Sequence, residues 1–284
     1  MRTPIEWQAG IEASVVSERR FSQEDAPVAD AVALRLVVAH RGASAREAEN
    51  TIPAFEAAIA DGADVVEFDV RMTADDVAVV MHDPDVSRTT DGSGLVRDLH
   101  LSEIKRLRIA TADGGETEVP TLDEALACLS GRAAADIEIK NIPGEPDFDG
   151  SQELAVEATL RALDAIGFTG LALISSFNPL SIARSRELAP DVATGLLTIG
   201  DVEARVALGF SHAQGHGWVL PFTASVLAAG PSFAGEAHEL GMRLGTWITD
   251  DPILAVELMR VGVDAVATND PAAVVAARAE AFGA

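Results

Sequence analysis

The 284-residue sequence is 48% hydrophobic and carries a formal net charge of −24. That length suits one large core, and the acidic excess excludes a nucleic-acid protein or an electrostatic binder of anionic membranes, both of which need clustered Lys and Arg. An anionic substrate would be repelled by the overall field, so a site for one needs a metal ion or a local Arg/Lys cluster to reverse the sign.

Residues 1–34 are polar and irregular, and they read as an arm of unspecified docking. They hold no uninterrupted apolar run, and Arg19-Arg20 is followed by FSQEDAP, so neither a general secretory nor a twin-arginine signal is expected. No stretch reaches the ~18 apolar residues of a membrane span. A cytoplasmic protein without stable membrane association is therefore expected. Cys128 is the single cysteine, which rules out an intramolecular disulfide, and it should fill space on the helix TLDEALACLS.

From residue 35 short apolar runs alternate with helical patterns. RLVVAH (35–40), DVVEFDV (64–70), VAVVMH (77–82), AADIEIK (134–140), GLALIS (170–175), VATGLL (192–197), GWVLPF (217–222), RLGTWI (243–248) and DAVATN (264–269) read as strands buried on both faces. Helices lie between them, one carrying Val156, Leu160 and Leu163, another Leu254, Leu258 and Val261. The pattern predicts an α/β fold, a single (β/α)8 TIM-type barrel over 35–284. Nine runs exceed eight by one. Only RMTADD separates the second from the third, too little for a crossover helix, so that pair reads as a strand and turn-back; which run lies outside the barrel stays open. Residues 84–121, with turn signals in TTDGSG and ADGGETEVP and a helical piece at Leu101–Leu107, predict a cap over the C-terminal mouth.

Chemistry concentrates at the strand ends. Glu67 and Asp69 share one face of a strand otherwise written in Val and Phe, and Glu138 and Lys140 repeat the device. An isolated buried carboxylate costs several kcal/mol, so these groups must be paired or metal-bound. Three carboxylates form a hard oxygen set suited to Mg²⁺, Ca²⁺ or Mn²⁺. The competing reading is a closed ion-pair network, with Lys140 neutralising one acid and Arg41 or Arg71 another. His40 and His82 each end an apolar run, where barrel enzymes carry catalytic groups. Two imidazoles suit phosphodiester cleavage, one accepting the nucleophile's proton and one protonating the leaving alkoxide.

The ordered set HRGASAREAENT, EFDV, VVMHDPDVSRTTDGSG, TLDEAL, DIEIK, ISSF, TW and VGVDAVATNDP resembles the glycerophosphodiester phosphodiesterase family over residues 36 to 275 or so. The resemblance implies His40 and His82 as the acid/base pair and Glu67, Asp69 and Glu138 as ligands of one divalent cation. It implies Arg41 and Lys140 as phosphate contacts, Phe177 and Trp247 as pocket walls, and Glu49 and Asn50 as residues beside the site. The substrate implied is a small glycerophosphodiester. The family's route is attack by the glycerol 2-hydroxyl and then hydrolysis of a cyclic phosphate; the residues alone equally allow direct attack by water. Two departures stand out: Thr268-Asn269-Asp270-Pro271 replaces the usual Thr-Asp-x-Pro, and Ile-Thr-Asp-Asp follows Trp247 in place of a Thr-x-Asn stretch.

Alternatives are a lysophospholipase D or phospholipase C-like enzyme, which an apolar mouth built by 84–121 would favour, and a non-catalytic barrel binding a phosphate ligand. A Schiff-base role for Lys140 is disfavoured by Glu138, which keeps the amine protonated. Head group, oligomeric state and metal identity are not encoded in the periodicity.

Overall fold

The computed structural model describes residues 33–283, so the arm predicted over 1–34 lies, but for its last two residues, outside the described residues. The strands are β1 (Leu36–His40), β2 (Val65–Met72), β3 (Ala78–Val80), β4 (Ile109–Ala110), β5 (Glu116–Thr117), β6 (Ala134–Ile139), β7 (Ala172–Ser176), β8 (Ala193–Thr198), β9 (Trp218–Pro221), β10 (Arg243–Thr246) and β11 (Ala265–Thr268). Eight of them, β1, β2 and β6 to β11, pair in parallel in chain order, and β1 closes the barrel by pairing with both β2 and β11. Every predicted run forms a strand, and the one outside the barrel is the third. β3 runs antiparallel to β2, with Val70 opposite Val80 and Met72 opposite Ala78.

The barrel strands are largely apolar because both of their faces are buried, the inward faces of β2 and β6 carrying the charged exceptions. Outward-facing Val37, Val66, Phe68, Ile137, Ile174, Val219, Leu244 and Val266 pack under the helices. Inward-facing Leu36, Val38, Val65, Leu173, Leu197, Trp218 and Leu220 fill the barrel. Each such side chain contributes about 1.5–3 kcal/mol on burial. Four helices start with the same device: Thr51, Asn178, Asp251 and Asp270 cap the first turn with a side-chain oxygen, and Pro follows at the first or second helical position. The cap satisfies a free N–H, while Pro sets the helical φ where its missing N–H is not needed.

Residues 84–121 fold around a small core of their own, in which Val86, Val96, Ile104, Ile109 and Val119 pack on Val79 and Met81. The helix there covers Leu101–Ile104, shorter than the predicted Leu101–Leu107. Beyond Lys105 the chain tightens into i→i+3 turns, Arg106 N–H to Glu103 O and Leu107 N–H to Ile104 O, and the Arg108 guanidinium donates to the carbonyls of Lys105 and Leu107.

Candidate active site

Two backbone reversals aim the polar residues into the mouth. After β1 the chain turns through His40-Arg41-Gly42, with Arg41 at φ 56° and Gly42 at φ 82°. A Cβ on Gly42 would lie 2.7 Å from Ala54, so only glycine fits. Asn50, at φ 58°, donates its amide to Asp69 Oδ2 at 2.7 Å. The second reversal corrects an expectation: His82 does not end a barrel strand. β2 overshoots Asp69 by three residues, and β3 walks back along it until Met81 N bonds Asp69 O at 3.0 Å, which returns His82 to the level of the acids.

Glu67, Asp69 and Glu138 converge, with one oxygen from each within 4.8 Å of the others, and all three are buried. Lys140 Nζ bridges two of them, 3.0 Å from Asp69 Oδ1 and 2.5 Å from Glu138 Oε1. Arg41 Nε lies 3.3 Å from Asp69 Oδ2, and the Arg41 backbone N–H donates to Glu67 Oε2 at 2.8 Å. The ion-pair network is real but incomplete. Glu67 Oε1 is buried with no hydrogen-bond partner, and two cations face three carboxylates. Burial, then the charges of Asp69 and Glu138, push Glu67 well above the usual carboxylate range. Burial opposes ionisation of Asp69 too, but Lys140 and Arg41 hold it low. An orphan oxygen beside an excess of buried negative charge fits a hard divalent cation.

His40 is buried, and burial followed by the Arg41 charge lowers its pKa to about 4. Its Nδ1 lies 2.8 Å from Asn269 Oδ1. The Asn269 amide is oriented by Ser44 Oγ, which donates to Oδ1, and by Asp250 Oδ2, which accepts from Nδ2 at 2.8 Å. With Oδ1 facing the ring, Nδ1 carries the proton and Nε2 is left as the basic nitrogen. The two departures from the family pattern therefore meet each other in space, amide against carboxylate.

His82 places Nδ1 2.5 Å from Asp83 Oδ1. Burial lowers the His82 pKa most, and Asp69 and Asp83 oppose that effect. Asp83 also binds Arg88, whose guanidinium donates to Glu49 Oε1 at 2.6 Å, and Glu49 Oε1 accepts from Arg41 Nη1 at 2.9 Å. A continuous chain thus runs from His82 through Asp83, Arg88, Glu49 and Arg41 to Asp69. Beneath it Arg71, fully buried, donates to His82 O at 2.7 Å and Lys140 O at 3.3 Å and pairs with Asp147 at 2.6 Å and Glu145 at 2.8 Å.

The cavity, about 230 Å³, is two-sided. His40, Arg41, Glu67, His82, Glu138 and Lys140 line one side, and Leu197, Leu220, Trp247, Ile248 and Ala267 are among the residues of the other. Phe177 and Trp247 meet edge to face at 5.2 Å and 84°, Trp247 held by a bond from its Nε1 to Leu220 O at 2.9 Å.

All the predicted site residues thus assemble at one mouth, Glu49 and Asn50 through Arg41 and Asp69. Sequence reasoning missed four neighbours. Asp136, buried on the cavity wall, accepts from Ser175 Oγ at 2.7 Å, and its pKa is raised to about 7 by burial foremost. The alternation that picked out Glu138 and Lys140 also reaches Asp136. Asn269 and Asp250 were visible only as departures, and nothing in DVSRTT marks Arg88.

The model of the glycerophosphoryl diester phosphodiesterase family matches residues 40–273. A glycerophosphodiester phosphodiesterase of Caldanaerobacter subterraneus subsp. tengcongensis is 35% identical over 243 residues, 83% of this chain and 94% of that one. Among solved structures, an Oleispira antarctica phosphodiesterase in complex with the product sn-glycerol-3-phosphate has a TM-score of 0.75 at 26% identity, covering 85% of this chain and 96% of its own. A glycerophosphodiester phosphodiesterase from Thermotoga maritima gives 0.69 at 25%, covering 85% and 97%. Fold, matched span and relatives agree, and the chain belongs to the glycerophosphoryl diester phosphodiesterase family.

Proposed function

We propose that the chain hydrolyses small glycerophosphodiesters to an alcohol and glycerol 3-phosphate, with a divalent cation held by Glu67, Asp69 and Glu138 and with His40 and His82 carrying protons. The observation that supports this best is the buried Glu67 Oε1 without a partner between two imidazole-bearing turns. A cation bound there supplies Lewis-acid stabilisation of phosphoryl charge, and the oxygen-only donor set suits Mg²⁺, Ca²⁺ or Mn²⁺.

In this reading the chain's own residues do the rest. Neutral His40, its Nδ1 proton fixed on Asn269, accepts the nucleophile's proton at Nε2. His82, its Nδ1 against the Asp83 carboxylate, returns a proton to the departing alkoxide as the phosphorus–oxygen bond breaks. Arg41 and Lys140 orient the phosphoryl oxygens and supply the local positive charge that a chain of net charge −24 needs for an anion. Phe177 and Trp247 wall the substrate arm away from water. A small substrate is favoured over a lipid because the cap buries its apolar residues in its own core, and no exposed large hydrophobic residue lies in 84–121.

The test is glycerol 3-phosphate release from glycerophosphocholine and glycerophosphoethanolamine, after chelation and then with Mg²⁺, Mn²⁺ or Ca²⁺ restored, with His40→Ala as control. Metal-restored release absent from the variant is expected. Chelator-insensitive release would overturn the ligand assignment, and normal turnover by the variant would overturn the proton-transfer assignment.

A further inference from the structure

Asp136 is out of keeping with its surroundings. It sits on β6 two residues before Glu138 and on the same inward face, hence about 6.6 Å deeper in the barrel. Across β2 its register partner is Glu67. Apart from Glu67, the barrel interior around that level is hydrocarbon, from Val38, Val65, Leu173, Trp218 and Leu220. Among the described residues Asp136 has no ion pair and one hydrogen bond, from Ser175 Oγ to Oδ1. Lys140 and Arg41, the cations that line the cavity, are engaged by Asp69, Glu138 and Glu49. The residue is 8% exposed, and that exposure opens into the cavity it lines.

A carboxyl so placed is expensive unless something donates to it. Among the described residues only Ser175 does, and the free side of the group faces the space where substrate must lie. The phosphate itself belongs at the rim, where Arg41 and Lys140 supply positive charge. An alcohol arm esterified to a phosphate held at the rim reaches downward by two or three carbons, which brings a terminal hydroxyl to this depth. The arm at the closed end leaves only together with the phosphate, whereas the expelled alcohol must depart through the mouth.

We propose that Asp136, oriented by Ser175, is a recognition subsite at the floor of the cavity that accepts a hydrogen bond from a free hydroxyl of the glycerol arm. The inference rests on the reading of the chain as a glycerophosphodiester hydrolase. It makes Asp136 a specificity-determining residue, one that separates a polyol arm from an alkyl arm of equal length.

Titration calorimetry on the full chain in Mg²⁺ buffer tests it with three probes: glycerol 3-phosphate, propyl phosphate, which has the same carbon chain and no hydroxyls, and phosphocholine. Asp136→Ala should weaken glycerol 3-phosphate roughly 10- to 100-fold, the span of one hydrogen bond to a charged group, and change propyl phosphate less than about 3-fold. Asp136→Asn, which keeps the size of the side chain and an acceptor for Ser175, covers the case in which the alanine variant does not fold, and it should show the same preference in weaker form. Equal losses for both alkyl phosphates, or no loss for either, would overturn the proposal as a merely structural role; selective loss of phosphocholine would overturn it by giving the floor to the head group. Wild-type release of glycerol 3-phosphate from glycerophosphocholine is scored separately. Its absence would sink the hydrolase reading, while the binding contrast would still decide Asp136.

Discussion

Replacing Arg71 by Met should unfold the support of the site before it touches the chemistry. The Arg71 side chain is 1% exposed and makes four contacts, to His82 O, Lys140 O, Asp147 and Glu145. Met fills a similar volume but donates nothing, leaving two backbone carbonyls short of a donor and the Asp147 carboxylate, itself 6% exposed, without a counter-charge. Breaking a buried pair from one side costs about 3–5 kcal/mol. For a domain of this size each kcal/mol corresponds to about 2–4 °C, so the Tm should fall by roughly 6–20 °C. Urea unfolding followed by circular dichroism gives the free energy, and a fluorescence melt gives the Tm. Arg71→Lys, which keeps the charge and loses the planar fork, should fall between. A Met variant within about 3 °C of wild type would refute the argument, because His82 and Lys140 would then be held by something other than this guanidinium.

Four further outcomes are expected. His40→Ala and His82→Ala should each lower turnover by about 10²–10⁴-fold in the release assay while the melting curve stays close to wild type; full activity in either removes it as a proton carrier. Glu67→Gln should weaken metal affinity, so that activity returns at raised Mg²⁺ or Ca²⁺; a loss that no metal concentration restores points away from ligation. Asn269→Asp sets two carboxylates against each other, and turnover should drop on the order of 10-fold, with recovery in the Asp250→Asn/Asn269→Asp double variant; additive losses would show that the two do not act as a pair. His216, buried and bonded to Thr194 Oγ1 at 2.9 Å, has its pKa lowered from 6.5 to about 4 by burial and then Arg186. Above pH 6.5 both folded and unfolded forms are neutral, and between 6.5 and about 4 the unfolded chain binds the extra proton, so stability falls as pH drops through that window. In His216→Leu the slope of stability against pH near 5 should shrink by up to one proton, and an unchanged slope would exclude His216 as its source.

Much of the fold was written in short-range pattern. Continuous apolar runs found the nine strands of the large sheet because those strands are buried on both faces, whereas the short, partly exposed β4 and β5 gave no such signal; the short spacing RMTADD marked the turn-back pair. Register does not follow from such patterns, so the level of His82 along β2 emerged only from the Met81–Asp69 bond. In the site, residues two apart on one strand were legible: Glu67 with Asp69, and Glu138 with Lys140. Partners that meet across 229 residues, as His40 and Asn269 do, leave no local signal. Arg71 shows the limit clearly. It was read as one possible counter-charge for the acid cluster, and it does share the face of β2 that carries Glu67 and Asp69, yet two residues further along the strand it holds the backbone carbonyls of His82 and Lys140 and pairs with Asp147 and Glu145 instead.

The ionic chain from His82 to Asp69 also bears on how such a barrel could be re-engineered. Loops over a barrel mouth look like exchangeable parts, to be swapped for a new substrate range while the scaffold stays constant. Here the 84–121 segment contributes Arg88, which grips Asp83 on one side and Glu49 on the other, the same Glu49 that steadies Arg41. A transplanted segment without that arginine would disturb His82, the proposed proton carrier, and Arg41, the proposed anion contact, together. The unit that can be grafted is the loop with its docking partners, and a library that varies the cap should hold Glu49, Asp83 and Arg88 fixed.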